Sequence, residues 1–104
     1  DRLIVIDHGR KIAEGSPRQL IAEHIEPQVI EVFDEAGGDL PAFVESHRGL
    51  AERVETSGET AFFYCREPRE LLAKLAEAHG LRYVHRASNL EDVFIKLTGR
   101  ELRD

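Results

Sequence analysis

A chain of 104 residues with 41% apolar and 33% charged side chains supports one small domain with its own core and at most an appendage. Its formal charge of −6 argues against a nucleic-acid role, because phosphate binding needs a basic face. The lone cysteine, Cys65, rules out an internal disulfide framework and fits a reducing compartment. No apolar run approaches the roughly 20 residues that cross a bilayer. Direct membrane insertion is therefore not expected, and any tie to a membrane runs through a partner protein.

Leu3 to Ile6 is wholly apolar, the pattern of a strand buried on both faces. His8-Gly9 suits a two-residue hairpin turn, since Gly tolerates positive φ, and Arg10 to Glu14 is the returning strand. Gly15 breaks it. Ser16 then caps a short helix, with Pro17 at its first position and Gln19 reaching back in a capping box. Leu20, Ile21 and His24 or Ile25 mark the apolar face of that helix. Pro27 is the boundary, dividing residues 1–27 from 28–104.

From Gln28 the pattern is strand, helix, strand, strand, helix, strand. Val29 to Phe33 is apolar and β-branched, and Gly37-Gly38 breaks it. Asp39 caps a helix carrying Leu40, Phe43, Val44 and His47, with Pro41 in its first turn. Gly49 closes it. The strands Leu50 to Thr56 and Thr60 to Cys65 flank a turn at Ser57-Gly58. Pro68 opens a helix with Leu71, Leu72, Leu75, Ala76 and His79 on one stripe, and Gly80 is placed at its C′ position. Leu81 to His85 is the last strand. Ser88 and Glu91 form a second capping box, and Leu90, Val93, Phe94 and Leu97 line a final helix before Gly99.

This order predicts an α+β fold, a ferredoxin-like βαββαβ antiparallel sheet with strand order 4-1-3-2. The first and third strands are central and apolar on both sides. Ile30 and Val32 face one way, and Val29 and Phe33 the other. Phe62 and Tyr64 oppose Ala61, Phe63 and Cys65. Two helices cover only one face. The second face needs a cover: the final helix, the N-terminal hairpin, or another molecule. Val29, Phe33, Phe63, Leu90 and Phe94 are the candidate interaction surface.

Little in the chain reads as chemistry. It has no phosphate-cradling Gly-rich loop followed by Lys and Ser or Thr. His8 occupies a turn, and His24, His47, His79 and His85 fall on separate elements with no metal-ligand spacing. His47 and His79 sit near predicted helix C-termini, where positive charge is favoured. Cys65 lies on a central strand without a nearby base and reads as a small buried hydrophobe. The pairs Glu67/Glu70 and Glu91/Asp92 complement helix N-termini. Arg100, Arg103 and the charges around them read as a solvated end. No catalytic, cofactor-binding or metal-binding residue is assigned.

The run Asp1-Arg2-Leu3-Ile4-Val5-Ile6-Asp7-His8-Gly9-Arg10-Lys11-Ile12-Ala13-Glu14-Gly15-Ser16-Pro17 resembles the end of the nucleotide-binding domain of ABC transporters. The segment Ser88-Asn89-Leu90-Glu91-Asp92-Val93-Phe94-Ile95-Lys96-Leu97-Thr98-Gly99-Arg100 is similar to the tail of their exporter-type ATPase subunits. Those subunits serve drug, antibiotic, nodulation-factor and polysaccharide efflux. The resemblance covers both ends by motif and the middle by pattern.

It implies a bacterial parent subunit that uses ATP and Mg at a dimer interface and drives export through a separate membrane permease. That subunit would be cytoplasmic, peripheral to the inner face of the cell membrane. Residues 1–27 would be the C-terminal edge of its nucleotide-binding domain, and residues 28–104 an accessory domain for assembly or regulation. The family's phosphate loop, Ser-Gly-Gly-Gln signature, catalytic Asp-Glu strand and switch histidine would all lie upstream of Asp1. The chain itself is then not an enzyme. Its hairpin would lack its usual sheet, so a homodimer or higher oligomer is expected, by hairpin exchange or sheet addition. The alternative, by fold analogy, is a small-molecule-sensing regulatory module. A stand-alone enzyme is disfavoured by the absence of clustered reactive groups.

Overall fold

His8 and Gly9 take φ of 54° and 73°, the two consecutive positive values that a tight I′-like hairpin turn requires. They join β1 (Leu3–Asp7) to β2 (Arg10–Gly15). The ladder runs Leu3↔Gly15, Ile4↔Glu14 and Val5↔Ala13, then shifts to Ile6↔Lys11 and Asp7↔Arg10, leaving Ile12 as a bulge. The computed structural model describes residues 1–99. The expected solvated end at Arg100 and Arg103 lies outside the described residues.

Contacts group the chain into two units, Asp1–Glu26 with the segment from Ser88 onward, and Pro27–Ala87. In the first unit, α1 (Pro17–His24) follows the hairpin. Its capping box forms as read: Gln19 N donates to Ser16 Oγ at 3.1 Å, and Ser16 N donates to Gln19 Oε1 at 2.8 Å. α1 packs with α4 (Leu90–Thr98). Leu20, Ile25, Val93 and Ile95 are buried. Lys96 Nζ lies 3.6 Å from Glu26 Oε2.

The second capping box is displaced by one residue from the Ser88/Glu91 reading. Asp92 N donates to Asn89 Oδ1 at 3.0 Å, and Asn89 N donates to Asp92 Oδ2 at 2.8 Å. A short carboxylate at N3 closes the reciprocal pair, so the helix starts one residue later. Gly99, at φ 75°, ends it in the left-handed conformation.

The second unit holds β3 (Gln28–Asp34), α2 (Leu40–His47), β4 (Arg53–Ser57), β5 (Thr60–Cys65), α3 (Arg69–Glu77) and β6 (Leu81–Ala87). The α+β expectation holds. The sheet is antiparallel throughout, with order β4-β5-β3-β6, so β3 and β5 are central as read. One face carries Ile30, Val32, Ala61, Phe63 and Cys65, packed with Leu40, Phe43 and Val44 of α2 and Leu71 and Leu75 of α3. On the other face Val29, Phe62 and Tyr64 are buried too. Charges there are tied down: Arg86 to Glu31 and Arg53 to Glu55, with the Arg53 guanidinium 3.9 Å above the Tyr64 ring.

Several boundaries differ from the sequence reading, β6 among them, which runs on to Ala87 rather than ending at His85. β4 begins at Arg53 rather than Leu50, because a 3-10 turn over Arg48–Leu50 prolongs α2. The β4–β5 turn is Gly58-Glu59 rather than Ser57-Gly58, with Gly58 at φ 60° in the first central position, as a II′ turn uses it. α3 ends at Glu77 and Ala78 turns extended, so His79 lies beyond the helix.

Gly80, expected at the C′ position of α3, lies past the Ala78 cap and His79 and acts elsewhere. Its φ is 81°, and its carbonyl accepts from Glu35 N at 2.8 Å and Ala36 N at 2.9 Å. A Cβ there would lie 2.7 Å from Gly38 N. The pair Gly38/Gly80 thus locks the loop after β3 to the start of β6. Gly80→Ala is expected to lower the unfolding free energy by at least about 2 kcal/mol, through left-handed strain plus the clash. Gly49→Ala meets nothing within 4 Å and is expected to change it by less than about 0.5 kcal/mol. Urea melts of the two variants check the contrast.

Candidate interaction surface

The first unit presents an apolar groove of about 420 Å³. Leu3, Ile4, Val5 and Ile6 of β1 form one side, Leu20 of α1 and Val93 of α4 lie at its base, and Leu90 and Phe94 of α4 form the other side. Leu20 and Val93 are buried, whereas Leu3, Ile4 and Ile6 are 37%, 55% and 59% exposed. Ile12, on the bulge, is 39% exposed. Leu3 to Ile6 was read as a strand buried on both faces; here it is largely open. A two-stranded sheet supplies only one ladder, and among the described residues no strand is hydrogen-bonded to the outer edge of β1.

The rim beside this groove is charged. Lys11 Nζ lies 2.6 Å from Glu14 Oε1 and Arg2 Nε 3.4 Å from Glu14 Oε2. The Lys11 hydrogen bond and charge, then those of Arg2, hold the Glu14 carboxyl below its ordinary 4.5. Any stability this tie adds is present above that ordinary value and lost as pH falls through the lowered one.

The five candidate surface residues separate. Leu90 and Phe94 are half-buried and meet in the groove. Phe33 is half-buried on the sheet, with the Arg82 guanidinium 5.2 Å from its ring. Val29 and Phe63 are fully buried, on opposite faces of the sheet, and offer no surface. The isoleucines of β1 and Ile12 add to the five: they belong to the hairpin expected to need new partners, and they are exposed. Their signal was available: an apolar run opposite a returning strand rich in charge, Arg10, Lys11 and Glu14.

The second unit holds a cleft of about 480 Å³ between α2 and the β4–β5 turn. Leu40, Pro41 and Val44 give it an apolar floor, with Asp34, Glu45, Arg48, Thr56, Glu59 and Thr60 around it.

The histidines and the cysteine stay apart. His8 tops the hairpin turn, His47 stacks on Phe43 at 4.1 Å, and His85 Nε2 lies 2.6 Å from Gln28 Oε1. Cys65 is buried, and its Sγ donates to the Phe63 carbonyl at 3.8 Å. Among the described residues no three His, Cys, Asp or Glu side chains gather as metal ligands. No helix among them is long and apolar enough to cross a membrane.

With that geometry in place, comparison with known proteins is informative. The family model described as "Nodulation factor export protein NodI, C-terminal domain" matches residues 41–99. The chain belongs to this family. It is 56% identical to a Nod factor export ATP-binding protein I of Ralstonia nicotianae over all of its own length and 33% of that protein's. It is 57% identical to the protein of the same name from Cupriavidus pinatubonensis, over 98% of this chain and 30% of the relative. A Rhizobium counterpart is 51% identical over 98% and 33%. The chain therefore spans about a third of the length of these relatives. No solved structure matches it. The resemblance to exporter-type ATP-binding subunits is borne out, and it narrows to the nodulation-factor branch.

The groove makes a direct test of which residues hold the fold and which face outward. Leu20→Ala is expected to cost about 2–5 kcal/mol. Ile6→Ser, in dilute protein, is expected to shift stability by less than about 0.5 kcal/mol while lowering the fluorescence of an apolar dye bound in the groove. Thermal melts and a dye titration read the two effects.

Proposed function

We propose that this chain is the non-catalytic C-terminal part of an ABC-type ATP-binding export subunit. In this reading the parent subunit uses ATP and Mg, and powers export of a nodulation factor through a separate membrane permease. It sits on the cytoplasmic side of the membrane, held there by the permease. Residues 1–27 are the edge of the nucleotide-binding domain by origin, and residues 28–104 the accessory domain that assembles or regulates the ATPase.

The observation that carries the reading is similarity along the whole chain to ATP-binding export proteins about three times as long. The physical picture supports it. Among its described residues the chain presents apolar surface suited to another protein segment.

Two measurements test the proposal. The purified chain is expected to release no phosphate from Mg-ATP above a buffer blank, while the full-length subunit does; turnover by the chain alone would sink the non-catalytic role. The chain is also expected to associate with itself, because the open edge of β1 carries no charged or proline gatekeeper between Leu3 and Ile6. Light scattering over a dilution series should then find a dimer or larger species. Ile4→Lys, which places a charge on that edge, should shift it to monomer with its melting curve intact.

A further inference from the structure

The cleft in the second unit has features that the export reading does not use. α2 lends it one side, with Leu40, Pro41, Val44, Glu45 and Arg48 presented at helical spacing. The β4–β5 turn lends the other through Thr56, Glu59 and Thr60. Its volume, about 480 Å³, is of the size that holds small organic ligands.

Leu40 and Val44 close the bottom, at 8% and 4% exposure. The charge around it is lopsided: Asp34, Glu45 and Glu59 against Arg48 alone. Arg48 is already spoken for, with its Nη2 3.3 Å from Glu45 Oε2. Asp34 is fixed in place, since its Oδ1 accepts from Gly37 N at 3.0 Å and Gly38 N at 3.1 Å, and those bonds hold the carboxylate at the rim. An apolar base beneath a net-negative rim excludes anions and favours a positive group attached to an apolar body.

We propose that this cleft binds a small organic cation with an apolar body, which rests on Leu40 and Val44 while its charge faces Glu59 and Asp34. The inference stands apart from the export role, because its test reads binding alone.

The probe is benzylamine, cationic at neutral pH, with benzyl alcohol and benzoate as neutral and anionic counterparts at matched ionic strength. Amide chemical shifts of the whole chain are followed during titration. Benzylamine is expected to move resonances of Val44, Gly58 and Thr60 and to bind at least about tenfold more tightly than benzoate. Glu59→Gln is expected to weaken it about three- to fivefold, and less so at high salt. Glu59 is an exposed turn residue, so the fold should survive the change.

Three results would overturn the proposal: equal binding of cation and anion, no effect of Glu59→Gln, or shifts confined to Leu90 and Phe94 in the other unit. Glu91→Gln, outside the cleft, serves as the control and is expected to leave benzylamine binding unchanged. An equal loss with both variants would mean that overall charge, not the cleft, attracts the probe.

Discussion

Burial of the central strands on both faces is the constraint on which the sandwich depends. β3 and β5 pair Val29↔Tyr64, Glu31↔Phe62 and Val32↔Ala61. Side chains alternate along a strand, so a slip of one residue would exchange the two faces. Glu31 would then enter the helix-covered core among Phe43, Phe63 and Leu71, where an unpaired carboxylate is costly. In the native register Glu31 lies on the opposite face, tied to Arg86. Register, core composition and ion pairing are therefore one condition, stated three times by the sequence. The Gly58-Glu59 turn and the Gly38/Gly80 contact pin it at one end of the ladders, where Phe33 pairs with Thr60 and Asp34 with Leu81.

The hairpin unit obeys a looser constraint. Its turn is over-determined by His8 and Gly9, and its helix by the Ser16/Gln19 box. Nothing comparable satisfies β1 itself. Four apolar residues in a row suit a strand in the middle of a sheet, yet among the described residues β1 has one neighbour, β2. The charged ties of Glu14 to Lys11 and Arg2 stiffen the hairpin at its rim, and exposed ion pairs of this kind contribute little. The local signals make the hairpin; the apolar content of β1 is written for contacts beyond it.

That difference explains what was legible. Caps, turns and strand alternation depend on residues within four positions of each other, and they were read almost to the residue. The errors there were small: one position at Asn89/Asp92 and Gly58-Glu59, where neighbouring residues offered equivalent chemistry, and three at the start of β4, where a 3-10 turn intervenes. Long-range packing was read less well. Phe63 was offered as surface although alternation put it with Ala61 and Cys65 beneath the helices. Leu3 to Ile6 has the composition of a strand buried on both faces and lies open, as the expected lack of its usual sheet implies. Gly80 was taken for a helix stop. Its tight approach to Gly38 joins positions 42 apart by number, and no local pattern carries such a contact.

In the proposed role, the chain would influence an ATPase by interacting differently with two of its states. The free energy of that difference has to come from surface that is covered in one state and open in the other, or from a ligand that prefers one of them. The interior sandwich is poorly suited to this, since Val29, Phe62, Phe63 and Tyr64 are packed whatever the chain touches. The isoleucines of β1 and the groove beside them are better suited. Covering a side chain as open as Ile6 removes apolar area worth about 1 kcal/mol or more, so a few such residues supply the 1–3 kcal/mol typical of coupling between sites. Regulation by this chain, in the proposed role, would accordingly be expressed through the hairpin unit.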